Sequence, residues 1–224
     1  MTQFSDNLFV GAGGALYQQQ AGLQVPPLVL QQFGQVKTAS ASGLAGKTTA
    51  SGTAGVITLN GTYVSGGVAT LDVPRNISLT STANLSAKSF TIVGTDILNR
   101  VTTQKQAGPN NATVYTLKAF KTVTSVTATG TVTGGVKVGN GTGLGLSANL
   151  ANLGCVLGQF HNGITATGAT WAVGMTATQT STATTADPRG TVTPNTAPNG
   201  SIWFTALYVG NPATNVSIYG PTPA

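Results

Sequence analysis

Glutamate is absent from this chain, and four aspartates, Asp6, Asp72, Asp96 and Asp187, are its only acids. Charged residues amount to 6% of its 224 residues, against roughly 25% in an ordinary soluble domain. Active sites gather titratable groups whose pKa values their neighbours shift, and this chain has few to gather. A carboxylate pair for glycoside hydrolysis would have to come from those four aspartates, no two of which lie close in sequence. One cysteine, Cys155, excludes an internal disulfide framework. Together with the single histidine, His161, it makes too small a donor set for zinc or iron, so no metal and no cofactor is expected. A Cys155–His161 nucleophile pair would need a third group to orient the base, and the sequence selects none. No apolar run approaches the ~20 residues of a membrane-spanning helix. The first residues lack the basic and apolar regions of a secretory signal. The expectation is synthesis in a cytoplasm, with no membrane partner.

Thr, Ala, Gly and Ser fill the space that charge leaves, with 30 glycines and 10 prolines. The charged helix formers Glu, Lys and Arg are scarce, so helix is poorly supported. Thr and Val alternating between glycines suit strands and turns. The formal charge is +6 and the pI near 9.7. The ten bases are Lys37, Lys47, Arg75, Lys88, Arg100, Lys105, Lys118, Lys121, Lys137 and Arg189. They are scattered singly, without interleaved aromatics, and leave no footprint for nucleic acid; no specific nucleic-acid partner is expected.

One motif invites a different reading. "ASGLAGKTT", residues 41–49, fits a relaxed phosphate-loop pattern, with Ala41 where the strict form has glycine. No Val/Ile-rich strand feeds it, and Gly52 and Gly55 interrupt the place where a helix should follow. Lys47 would lack the backbone cradle and the helix N-terminus that bind phosphate, so an NTPase is not expected. The stretch 37–55 reads instead as a low-complexity linker or loop.

Residues 1–36 read as an extended arm, rich in Gln and apolar residues and stiffened at Pro26–Pro27. From residue 56 the pattern is regular. Asn60–Gly61 and Gly66–Gly67 supply hairpin turns. Between residues 121 and 139, Val126, Ala128, Val132, Val136 and Val138 share one parity, with Thr and Lys on the other. That predicts a half-buried antiparallel ribbon turning among Gly130 to Gly135. "NATVYTLKAF", residues 111–120, puts Tyr115, Leu117 and Ala119 on one face, and "GNGTGLG", residues 139–145, reads as a glycine-rich loop. "SIWFTALYVG", residues 201–210, is apolar on both faces, as in a strand inside a sandwich or at a subunit contact. About ten short strands with frequent turns predict an all-β fold: an antiparallel β-sandwich or jelly-roll-like domain preceded by an extended N-terminal arm. The expected division is arm and linker over 1–55 and sandwich over 56–224, which could split into two small β units near residue 147.

"AFKTVTSVTATGTVTGGVKVGNGTGLGL", residues 119–146, resembles a segment of virion proteins of tailed bacteriophages, in which a hairpin precedes a Val-x-Val-Gly-x-Gly loop. "ADPRGTVTPNTAPNGSIWFTALYVG", residues 186–210, is similar to the Arg-Gly-Thr-x-Thr-Pro stretch that follows it in those chains. The resemblance implies a non-enzymatic structural protein of the particle, most like a capsid decoration (cement) protein. Its implied partners are the major capsid protein and other copies of itself, as a dimer or trimer on the capsid surface. Neither motif carries a catalytic residue. The contact residues expected on this reading are Phe4, Leu8, Phe9, Leu28 and Phe33 of the arm and Trp203, Leu207 and Tyr208 of the two-faced strand. A tail, neck or short-fibre component and a carbohydrate-binding β-sandwich are the alternatives.

Overall fold

Strands form nearly everywhere that small apolar residues and Thr alternate. The computed structural model describes residues 8–10, 15–20, 23–24, 28–175, 180–210 and 218–224, the first three stretches by backbone path alone. In chain order the strands are β1 (Leu8–Val10), β2 (Ala15–Gln20), β3 (Leu23–Gln24), β4 (Leu28–Gln35), β5 (Ser40–Ala50), β6 (Ala54–Val56), β7 (Val64–Ser65), β8 (Val68–Asn84) and β9 (Ser89–Thr95). They continue with β10 (Val101–Ala107), β11 (Asn110–Thr129), β12 (Val132–Gly145), β13 (Val156–His161), β14 (Ile164–Ala166), β15 (Thr170–Val173), β16 (Gly190–Thr193) and β17 (Trp203–Val209). Between β12 and β13 lies one 3-10 turn, Leu153–Cys155.

The fold is all-β and sandwich-like, and the described pairings are antiparallel. A seven-stranded sheet runs β1-β2-β4-β17-β13-β14, with β3 on β2. A ten-stranded sheet runs β10-β9-β11-β8-β12-β16-β15, with β5, β6 and β7 branching from β12, β11 and β8. Two apolar clusters fill the interior. One gathers Leu44, Leu71, Ile77, Leu79, Phe90, Phe120 and the valines of β11 and β12. The other gathers Val29, Phe33, Val36, Leu144, Leu146, Leu150, Val192, Phe204 and Tyr208. β12 joins them, with Val132, Val136 and Val138 in the first cluster and Leu144 in the second. The long strands manage this by changing partners at register shifts, which bend a strand and add twist.

The burial parity expected for 121–139 holds: Val126, Ala128, Val132, Val136 and Val138 all lie at 3% exposure or less. The ribbon itself does not form. Gly130 turns the chain at φ 80°, but β8 lies between β11 and β12, so the two strands enter different pairings. Gly66 and Gly67, at φ 58° and 79°, do close the two-residue β7–β8 hairpin. Gly61 serves another end, because a Cβ there would sit 2.1 Å from the Gly43 carbonyl oxygen. It is bare because two backbones meet.

The boundary expected at residue 55 dissolves. β4 belongs to the second cluster, and β5 runs through the stretch expected as a linker, with Leu44 and Ala45 fully buried. Its Ala, Gly and Ser side chains are small because β5 lies close against β12, Tyr63 and the Gly61 turn. Nor do the two cores divide the chain at residue 147, since the second draws on both Val29–Val36 and Leu144–Tyr208. Lys47 lies exposed within β5, and no helix follows it.

Candidate functional site

No Lys, Arg or Asp lies in any strand of the seven-stranded sheet. Strand alternation sends β4 and β17 side chains to opposite sides of it. Inward go Val29, Gln31 and Phe33 from β4 and Phe204, Ala206 and Tyr208 from β17, all buried. Gly34, at φ 75°, sits at the register shift that resets the pairing after Phe33. Outward, cross-strand pairs set Leu28 against Val209, Leu30 against Leu207, Gln32 against Thr205 and Gln35 against Trp203. Phe160 of β13 continues that face opposite Thr205. Leu30 is 38% and Trp203 45% exposed, while Leu207 and Val209 are half-buried by their neighbours. The result is an outward sheet face of Leu, Val, Trp, Gln and Thr without a charge on it.

The residues expected to make contacts therefore divide. Leu28, Leu207 and Trp203 lie on this outward face. Phe33 and Tyr208 point the other way into the second cluster and are not available on the folded chain. The Tyr208 ring is spent as core, and its hydroxyl is fixed by the Ala148 N–H at 3.0 Å and by donation to the Ala148 carbonyl at 3.1 Å. Burial pushes its pKa up to about 12. Phe4 lies outside the described residues, and of Leu8 and Phe9 only the backbone, paired with β2, is described.

Charge is concentrated on the larger sheet and its loops, and part of it is inside. Arg75, Lys118 and Arg189 are each at 1% exposure or less. Arg75 donates to the Gly141 and Lys37 carbonyls, both at 2.8 Å. Asp96 receives Arg189 at 2.9 Å and Arg100 at 3.0 Å. Burial works against its ionised form, but the two guanidiniums and the Arg100 backbone N–H together outweigh that and hold the carboxyl below its usual range. Asp187 accepts the backbone N–H groups of Ala119, Arg189 and Gly190, and burial pushes its carboxyl up against their pull and that of Arg189. Lys118 donates to Ser181 Oγ at 3.2 Å and the Ala224 carbonyl at 3.3 Å, and burial lowers its ammonium to about 8. These contacts fasten the segments 180–190 and 218–224 onto β11, and the backbone N–H groups of Thr103 and Lys105 in β10 donate to main-chain oxygens of Ala224 and Ala183. Sequence reasoning read the bases as scattered singly and missed this network. Its one legible signal is Asp187-Pro-Arg189-Gly, where the carboxylate closes a turn on the two following amides.

His161 stacks edge-on against Phe204 at 4.7 Å and shares a hydrogen bond with the Gln159 amide, and burial lowers its pKa. Cys155 is a free, half-buried thiol. The described residues contain no group of three or more His, Cys or Asp side chains placed to hold a metal ion. No described helix is long and apolar enough to cross a membrane. No protein-family model, no curated protein and no solved structure matches the chain.

Proposed function

We propose that this chain is a non-enzymatic structural protein of a bacteriophage particle, docked on the capsid shell as a decoration protein. The observation that carries the docking role is the uncharged outward face of the seven-stranded sheet. The cores of protein interfaces are depleted of charge and enriched in large apolar and aromatic side chains. Here Leu28, Leu30, Leu207, Val209 and Trp203 supply the apolar surface, and Gln32, Gln35 and Thr205 supply neutral hydrogen-bonding groups beside it. The shell as the partner, and other copies of the chain beside it, come from the resemblance of residues 119–146 and 186–210 to virion proteins. A tail or neck component would use the same face on a different neighbour.

Docking of this kind needs no chemistry. A protein that binds only the assembled shell lowers that state's free energy by mass action. The test is sedimentation of purified chain with shells stripped of it, comparing wild type with Leu30→Lys/Leu207→Lys. Two ammonium groups at the centre of the face should abolish co-sedimentation while leaving circular dichroism and the thermal midpoint in place. Unchanged binding by the double variant would overturn the assignment of this face.

A further inference from the structure

The glycine-rich stretch at residues 139–145, expected as a loop, is the second half of β12, and its bare backbone is a bed for two side chains. A Cβ at Gly141 would lie 2.4 Å from Asn76 Oδ1 and 2.8 Å from the Tyr115 ring, and one at Gly143 would lie 3.0 Å from the Asn76 amide. Tyr115 reaches this bed because β11 slips against β8. Tyr115 pairs with Ser78 but Ala119 with Asn76, so two extra residues bulge from β11. Thr116 pins the bulge, taking the Ile77 N–H and donating to the Lys118 carbonyl, both at 2.8 Å. Tyr115 and Leu117 are thereby thrown outward, 50% and 56% exposed, instead of following Ala119 into the core.

A cleft of about 250 Å³ opens at this point, closed on its far side by β15 and β16. That is below the roughly 300–1,000 Å³ of pockets for drug-sized ligands and suits one ring. Leu117, Ala172 and Val173 give it an apolar side. Asp187 is the only charged residue in the lining, and both its oxygens are held by backbone N–H groups. Asn76 spends Oδ1 on the Gly143 N–H at 3.0 Å, which leaves its NH2 free. The Tyr115, Thr191 and Thr193 hydroxyls have no hydrogen-bond partner among the described residues. An anionic ligand would find no cation here. An apolar one would strip water from three hydroxyls and an amide without replacing those bonds, which is costly. A ligand with an apolar face and neutral hydroxyls satisfies both sides of the lining.

We infer that this cleft binds one pyranose unit of a neutral glycan. The Tyr115 ring lies against the C–H face of the sugar, and Asn76 Nδ2, Thr191 Oγ1 and Thr193 Oγ1 meet its hydroxyls. This site is separate from the uncharged sheet face, and it stands or falls independently of the docking role.

The experiment is a ¹⁵N chemical-shift titration of the full chain with the methyl pyranosides of glucose, mannose and galactose and with N-acetylglucosamine, each to about 50 mM, which reaches millimolar affinities. At least one probe should shift the amides of Asn76, Tyr115, Thr191 and Thr193 in a saturable way. Tyr115→Ala should weaken that probe at least tenfold. Gly141→Ala, which displaces Asn76 and the ring without deleting a polar group, should do the same. Tyr115 is half exposed, so its variant should keep the wild-type thermal midpoint and decides the matter if Gly141→Ala fails to fold. No shift with any probe, shifts only elsewhere on the chain, or full binding by Tyr115→Ala would each overturn the inference.

Discussion

Lys118 makes this protein's stability pH-dependent on the alkaline side. The residue is at 0% exposure, with Ser181 Oγ and the main-chain oxygen of Ala224 as acceptors and Asp187 as the nearby carboxyl. Folding lowers its pKa from 10.5 to about 8. Between those values the unfolded chain holds a proton that the folded chain has released, so stability rises with pH across that window. At pH 7 both states are protonated, and the folded state carries the whole cost of the buried charge. One pKa unit is about 1.4 kcal/mol, so raising the pH from about 7 to 9.5 should add about 2 kcal/mol. The upper limit is set below the range where tyrosines ionise in the unfolded chain, because Tyr208 acts in the opposite direction. The assay is urea unfolding at the two pH values, at constant m-value, for wild type and Lys118→Met. Wild type should gain about 2 kcal/mol over Lys118→Met between them. Equal pH slopes for the two proteins, or a wild type that weakens toward pH 9.5, would refute the reasoning.

Asp96→Asn leaves Arg189 buried without its carboxylate, and breaking such a pair costs about 3–5 kcal/mol; chemical unfolding at neutral pH measures it. Because the folded Asp96 pKa is depressed, its contribution is present above the ordinary carboxylate value and is lost as pH falls through the folded value. The variant should therefore show a shallower acid-unfolding curve than wild type. Tyr208→Phe keeps the ring but strands the Ala148 N–H, and should cost about 1–3 kcal/mol in thermal or urea unfolding.

The fold class was legible because it rests on composition and local parity. Alternating valines placed one face of β11 and the start of β12 in the core, and Gly66–Gly67 marked a real hairpin. Long-range choices were not legible. Nothing local says that β8 should come between β11 and β12, or that the small residues of β5 pack as a strand instead of hanging as a linker. Parity failed at Tyr115 and Leu117 because β11 bulges between Tyr115 and Ala119 and breaks the regular alternation there, and the cue for it, glycines at 141 and 143, sits on another strand. Two-faced β17 was recognised as such, but which face is core depends on the partner sheet, so Tyr208 and Leu207 could not be separated in advance. The buried Arg and Lys residues escaped for the same reason: their partners lie up to 106 positions away.

The most direct test of the docking role is the copy number of this chain in purified particles from its source, measured by mass spectrometry against the major shell protein. The proposal predicts a number comparable to the shell protein, as a surface lattice requires. A handful of copies would contradict decoration and move the chain to the neck or tail, and its absence from particles would contradict the virion role altogether.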